Sequence, residues 1–279
     1  MKQIITINLV LLGLLTVQVE AAQIISFNVT SPVENGTSSV ILDCNFIFDP
    51  LEENLVMKWY FNDNPRPVYQ WIIALRKRSY SEEIRRHIDP DFTVDNQLTE
   101  HRAIRLIKPT TQLSGNYKCT ISSVQSSDSA SAKLIVYAPA KSFSFRAYNE
   151  STVLCRATGL YPSPVVELYR LNKPFKSSGP SRVKISKEGY TVITGEQGKY
   201  SIESSGSIDE DDYNDGQSVH YQCHLSIPDT NYSVTRNLTL TNGWNQQKIV
   251  SKSNGSSNKC NSILMAILMA KMFLIKFNM

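Results

Sequence analysis

Catalytic signatures are missing from this chain. It has no His-Glu-x-x-His, no Gly-x-Ser-x-Gly elbow, no phosphate-binding glycine loop and no Rossmann glycine set. The sequence therefore reads as non-enzymatic. Histidine is scarce, with four in 279 residues. The one His-x-x-x-His pair, His220 and His224, spans a stretch around Cys223 that reads as a strand. On a strand those rings share a face but stand roughly 13 Å apart, at about 3.3 Å per residue, too far to hold one ion. The acidic run Asp209 to Asp212, with Asn214, Asp215 and Gly216 behind it, fails as a calcium loop. Aligning Gly216 with the invariant glycine puts Tyr213 and Gln222 where acidic ligands belong. No metal and no cofactor are expected. A net charge of +4 is too small to argue for nucleic acid, and no apolar run reaches the roughly 20 residues of a spanning helix.

What the chain does have is five cysteines, and four of them carry a pattern. Cys44, Trp59, Tyr117 and Cys119 stand at the offsets by which an immunoglobulin-type sandwich ties two sheets across a buried indole, and Cys155, Tyr221 and Cys223 repeat half of that set. Both second cysteines sit in a Tyr-x-Cys triplet, the tyrosine-corner signature. The expectation is an all-β chain of two tandem immunoglobulin-like β-sandwiches, variable-type then constant-like, with disulfides Cys44 to Cys119 and Cys155 to Cys223. Each would close a loop of about 70 residues and contribute on the order of 4 kcal/mol. In the first domain, Ser39 to Phe46 reads as strand B, Val56 to Asn62 as C, Pro67 to Ile73 as C′, His101 to Lys108 as E with Ile104 and Leu106 inward, Gly115 to Ser122 as F and Ala130 to Tyr137 as G. The long interval between the cysteines leaves room for C′ and C″, hence the variable type. Leu113 stands where such domains carry an Asp, so the usual salt bridge is absent or replaced. In the second domain Ser151 to Thr158 reads as strand B and Val165 to Arg170 as C, with Leu168 in the place of the indole.

The two ends have their own grammar. Residues 1–22 read as a secretory signal, with Lys2 ahead of an apolar run from Leu9 to Val17 and small residues before the cut. Domains are expected over 23–138 and 139–242, then a polar stalk over 243–262 and a hydrophobic tail over 263–279. Lys271 lies in the middle of that tail. Three readings stay open: a GPI-attachment signal with Ser253, Asn254 and Gly255 as candidate sites, a short or snorkelling membrane helix, or a secreted protein with an incidental apolar end. Six Asn-x-Ser/Thr sequons, at Asn28, Asn35, Asn149, Asn231, Asn237 and Asn254, fit an extracellular glycoprotein.

Two constellations could bind a partner. Arg76, Lys77, Arg78, Arg85, Arg86 and His87, followed by Arg102, Arg105 and Lys108, form a basic segment. It suits sulfated glycans or an acidic partner, or else a solvated edge that discourages strand-to-strand aggregation. The other is aromatic. With Trp59 inward, Tyr60 and Lys118 point outward, and in C′ either Tyr69 with Trp71 or Val68 with Gln70 and Ile72 must face out. Tyr60, Tyr69, Trp71 and Lys118 are taken as the candidate partner-binding set.

At Lys58-Trp59-Tyr60-Phe61-Asn62 and Pro67-Val68-Tyr69-Gln70-Trp71-Ile72 the chain resembles the arthropod beaten-path family of cell-surface immunoglobulin proteins. That resemblance implies a neuronal recognition protein that binds sidestep-type receptors and guides axons. The Gly159 to Pro164 turn resembles that of constant-type domains, and the layout is also similar to butyrophilin-like ligands, which would imply an immune ligand. The expected place is the outer side of the plasma membrane, with a cell-surface receptor as partner. A secreted immune or glycan-binding protein is the alternative.

Overall fold

The computed structural model describes residues 22–49, 51–124, 126–171, 182–185, 198–208 and 218–241, and the backbone alone of 190–193 and 248–252. The chain divides into two compact units, the first running to Pro139 and also taking in Leu160–Pro162 and Gly195–Lys199, the second comprising the rest from Ala140.

In the first unit, β1 (Gln23–Val29), β2 (Val33–Glu34), β3 (Ser39–Ile47), β4 (Val56–Phe61), β5 (Tyr69–Ile72) and β6 (Lys77–Tyr80) lead to a one-turn helix α1 (Glu82–Arg85). Then come β7 (Ala103–Ile107), a 3-10 turn (Thr111–Leu113), β8 (Gly115–Ser122), β9 (Ser127–Leu134) and β10 (Val136–Tyr137). One sheet has the order β1-β3-β7 and the other β6-β5-β4-β8-β9, while β10 pairs with β2. Strands β5 and β6 are the C′ and C″ of a variable-type sandwich. Strand D is reduced to one bridge, Ile88 to Leu106.

Alternation decides which face of each strand is buried. Val40, Leu42, Cys44 and Phe46 of β3 turn inward, as do Tyr117, Cys119 and Ile121 of β8. Trp59 lies directly across from Cys119 in the ladder and is fully buried, with the Phe27 ring 5.0 Å away. The Cys44–Cys119 bridge spans a Cα separation of 6.4 Å. The Tyr117 hydroxyl donates to the Leu113 carbonyl at 3.0 Å, completing the tyrosine corner. Leu113 is itself buried and lines one cleft with Phe61, Val68, Ile84 and Tyr117. Apolar packing therefore stands where the usual salt bridge would. Ala22, placed before the domain boundary by the sequence reading, is 3% exposed and belongs to this core.

The second unit holds β11 (Ser142–Asn149), β12 (Thr152–Leu160), β13 (Val165–Leu171), β14 (Arg182–Lys184), β15 (Tyr190–Ile193), β16 (Tyr200–Ser207), β17 (Val219–Ser226), β18 (Ser233–Leu240) and β19 (Lys248–Lys252). Its sheets run β11-β12-β16-β15 and β14-β13-β17-β18-β19. Leu168 pairs with Cys223 in the same register by which Trp59 pairs with Cys119, and it is fully buried. The Cys155–Cys223 bridge again spans 6.4 Å between Cα atoms. One boundary moves: β19 takes five residues out of the expected stalk and adds them to the sheet beside β18. The acidic run from Asp209, the GPI candidates Ser253, Asn254 and Gly255, most of the leader and the apolar tail lie outside the described residues. Among the described residues no helix is long and apolar enough to cross a membrane.

Candidate functional site

The outer face of the five-stranded sheet of the first unit is built by parity. Trp59 points in, so its neighbours Lys58 and Tyr60 point out, and the ladder places Tyr60 opposite Lys118 and Lys118 opposite Ser131. Lys58 stands opposite both Thr120 and Gln70, and Val56 opposite Ile72. The ammonium of Lys118 lies 5.2 Å from the Tyr60 ring centroid, a cation over an aromatic face. Neither Lys58 nor Lys118 forms an ion pair among the described residues.

At one end this face deepens into a shallow cleft of about 370 Å³ lined by Tyr60, Asn62, Asp63, Asn116, Lys118 and Ser131 among others. Local backbone chemistry makes it. Asn62 adopts a left-handed φ of 50°, its N–H donates to the Asn116 carbonyl at 2.7 Å, and its Oδ1 accepts the Asn116 N–H at 3.0 Å. That crossing brings the start of β8 against Phe61 and Asn62. A Cβ at Gly115 would collide with both side chains, so a larger residue there would push Asn62 off Asn116 or displace the Phe61 ring.

Two members of the expected partner-binding set are elsewhere. Tyr69 and Trp71 are each 2% exposed. The reason is register: Tyr69 pairs with Trp59 and Trp71 with Met57, two inward residues, so both share their face. The Tyr69 hydroxyl donates to the His101 carbonyl at 2.8 Å, and burial pushes its pKa well above that of a free phenol. Trp71 meets the His101 ring edge-on at 5.5 Å. The outward set is thus the half-buried Lys58 and Tyr60 with the exposed Lys118, and Gln70 and Ile72, also half-buried, stand in the places expected of Tyr69 and Trp71. The sequence left both parities of C′ open, and only the pairing with β4 closes the choice.

The basic segment is partly committed. Arg102 forms a two-pronged pair with Asp43 at 2.8 and 3.2 Å, Arg105 reaches Asp89 at 3.3 Å while stacking on Phe92, and Arg85 pairs with Glu82. Arg78 donates to the Pro90 carbonyl. Arg76, Lys77, Arg86 and Lys108 keep no acidic partner among the described residues.

The corresponding face of the second unit is satisfied within itself. His220 bonds Thr239 at 3.0 Å, Gln222 donates to Asn237 at 3.0 Å, and His224 bonds Thr235 at 3.2 Å. Both histidines thus share one strand face, His220 exposed and His224 half-buried. Lys184 and the Tyr169 hydroxyl both donate to Glu167, and these bonds hold its carboxyl below the usual carboxylate range. No group of three or more metal-ligating side chains forms among the described residues. Of the sequons, Asn28, Asn35, Asn149 and Asn231 are exposed and Asn237 is half-buried, while Asn254 lies outside the described residues.

No protein-family model matches the chain, and no curated protein matches it in sequence. Solved structures do match in fold. Bovine butyrophilin superposes with a TM-score of 0.52 at 14% identity, over 77% of this chain and 98% of that one. A two-domain fragment named Rst D1-D2 gives 0.48 at 10%, over 78% and 97%, and the extracellular portion of mouse CD200RLa gives 0.46 at 15%, over 74% and 95%. At such identities the likeness establishes architecture, and that architecture is two immunoglobulin-like sandwiches in tandem.

Proposed function

We propose that this is a non-enzymatic recognition protein of the cell surface, which binds another surface protein through the outward face of the first unit's five-stranded sheet. The observation that carries the reading is the Tyr60–Lys118 pair. It is an outward aromatic under a cation that has no acidic partner among the described residues, beside a polar cleft and a second such cation at Lys58. Tyrosine anchors of this kind supply large contact area at low entropic cost, and the two lysines favour an acidic or carbonyl-rich patch on the partner. Two structural disulfides agree with an oxidising, extracellular setting. The beaten-path resemblance of the Lys58 to Ile72 stretch makes a sidestep-type receptor the first partner to screen and axon guidance the setting. A GPI anchor at Ser253, Asn254 or Gly255 is the attachment that fits the composition of the end.

The test is a binding screen of the secreted ectodomain against surface receptors, sidestep-type ones included, repeated with Tyr60→Ala combined with Lys118→Ala. Loss of binding by about 30-fold or more per anchor, with the melting temperature unchanged, is the expected result. Unaltered affinity in the double variant would overturn the site. The association rate should also fall as salt rises, because exposed lysines act over a distance of about a Debye length.

A further inference from the structure

The edge of the first unit where the chain enters β1 contains a carboxylate short of a donor. Glu52 accepts the hydroxyls of Ser123 and Ser126 on one oxygen, Oε1. Its other oxygen, Oε2, is buried and has no hydrogen-bond partner. A buried carboxylate oxygen left without a donor bears its desolvation cost with nothing to offset it. Beside it lies Ala22, 3% exposed, whose N–H donates to the Ser126 hydroxyl at 3.2 Å. Two residues further, Asp128 accepts the Ile24 N–H at 2.8 Å. Two carboxylates thus frame the first residues of β1, and the Ala22 nitrogen stands one hydroxyl away from Glu52.

We infer that Ala22 is the first residue of the mature protein, that the leader is removed between Ala21 and Ala22, and that the new α-ammonium ion-pairs with Glu52. This rests on reading the leader as a secretion signal. A peptide nitrogen at Ala22 offers one hydrogen, already spent on Ser126. An ammonium offers three and a full positive charge, which supplies the donor that Glu52 Oε2 lacks. The cut also fits the residues around it. Cleavage after Ala21 places Ala21 and Val19 at the two positions that require small uncharged side chains, whereas cleavage after Ala22 would place Glu20 at the outer one. Cleavage after Ala22 would in addition delete a methyl group that belongs to the core.

The experiment expresses the full chain in a secreting cell, removes N-glycans enzymatically and reads the N-terminal peptide by mass spectrometry. A chain beginning at Ala22 is expected. A chain beginning at Gln23 overturns the inference while leaving secretion intact, and an uncut chain overturns the secretion reading itself. The ion pair has its own readout: the pKa of the α-amine, followed by NMR after reductive methylation with labelled formaldehyde. It should lie above the ordinary range of about 7.7 to 8.0 in the mature protein and return to that range in Glu52→Gln. An ordinary value in the unsubstituted protein overturns the pair, whether or not the variant folds.

Discussion

Single residues in this molecule are assigned by what lies opposite them. Tyr60 and Trp71 are both aromatic, yet one turns outward, half-buried beside Lys118, and the other is packed on His101. His101 is the titratable member of that packed group. Its Nε2 reaches Glu100 at 3.4 Å, and its Nδ1 is buried without a partner. Burial lowers its pKa, the nearby Arg78 lowers it further, and Glu100 opposes both. A folded-state pKa below the unfolded value of about 6.5 means that the unfolded chain binds the proton more readily. Stability contributed by neutral His101 is therefore full above about pH 6.5 and is lost progressively as the pH falls from there through the lower folded-state pKa. Denaturant midpoints of the first unit taken between pH 7.5 and 5 should decline, and His101→Gln should decline less. Parallel declines in the two proteins would show that His101 is not the group responsible.

Elements were legible in the sequence to the degree that burial was one-sided. Strand F was read over Gly115 to Ser122 and is found there, because Tyr117, Cys119 and Ile121 alternate with polar residues and two of them carry the motif. The Leu168 position was legible for the same reason, since the alternative register would have buried Glu167. Strand C′ was located but not oriented. Val68, Tyr69 and Trp71 are all buried, so alternation breaks at its start and parity comes only from the ladder with β4. Strand β19 was missed, because Lys248 to Lys252 is short, flanked by polar residues and follows what looked like the end of the domain. Its pairing covers the free edge of β18, a common way to protect a sheet from edge-to-edge association. Truncation after Asn242 should therefore raise amide exchange across Thr235 to Thr239 and leave β12 and β16 protected. Unchanged exchange in β18 would mean that β19 contributes nothing to that edge.

At the scale of the whole molecule the two units differ in how far the side chains of their outer faces are already bonded. The first presents Lys58 and Lys118, without acidic partners among the described residues, around Tyr60, while in the second His220, Gln222 and His224 bond Thr239, Asn237 and Thr235 and Glu167 accepts from Lys184 and Tyr169. A face already satisfied gains little from a partner, and the sequon at Asn237 lies in the middle of it. On that ground the outward face of the first unit is the one proposed to meet a partner. Strand β19 ends at Lys252, next to Ser253, Asn254 and Gly255, so a GPI anchor there would join the sheet to the membrane with almost no stalk between. Cells expressing the full chain should then release it, with its epitope intact, on treatment with a phosphatidylinositol-specific phospholipase. A protein that stays on the cell would instead be held by its apolar tail as a membrane helix. A protein found in the medium before treatment would need no anchor, and recognition would then be carried by a soluble form of the same first-unit face.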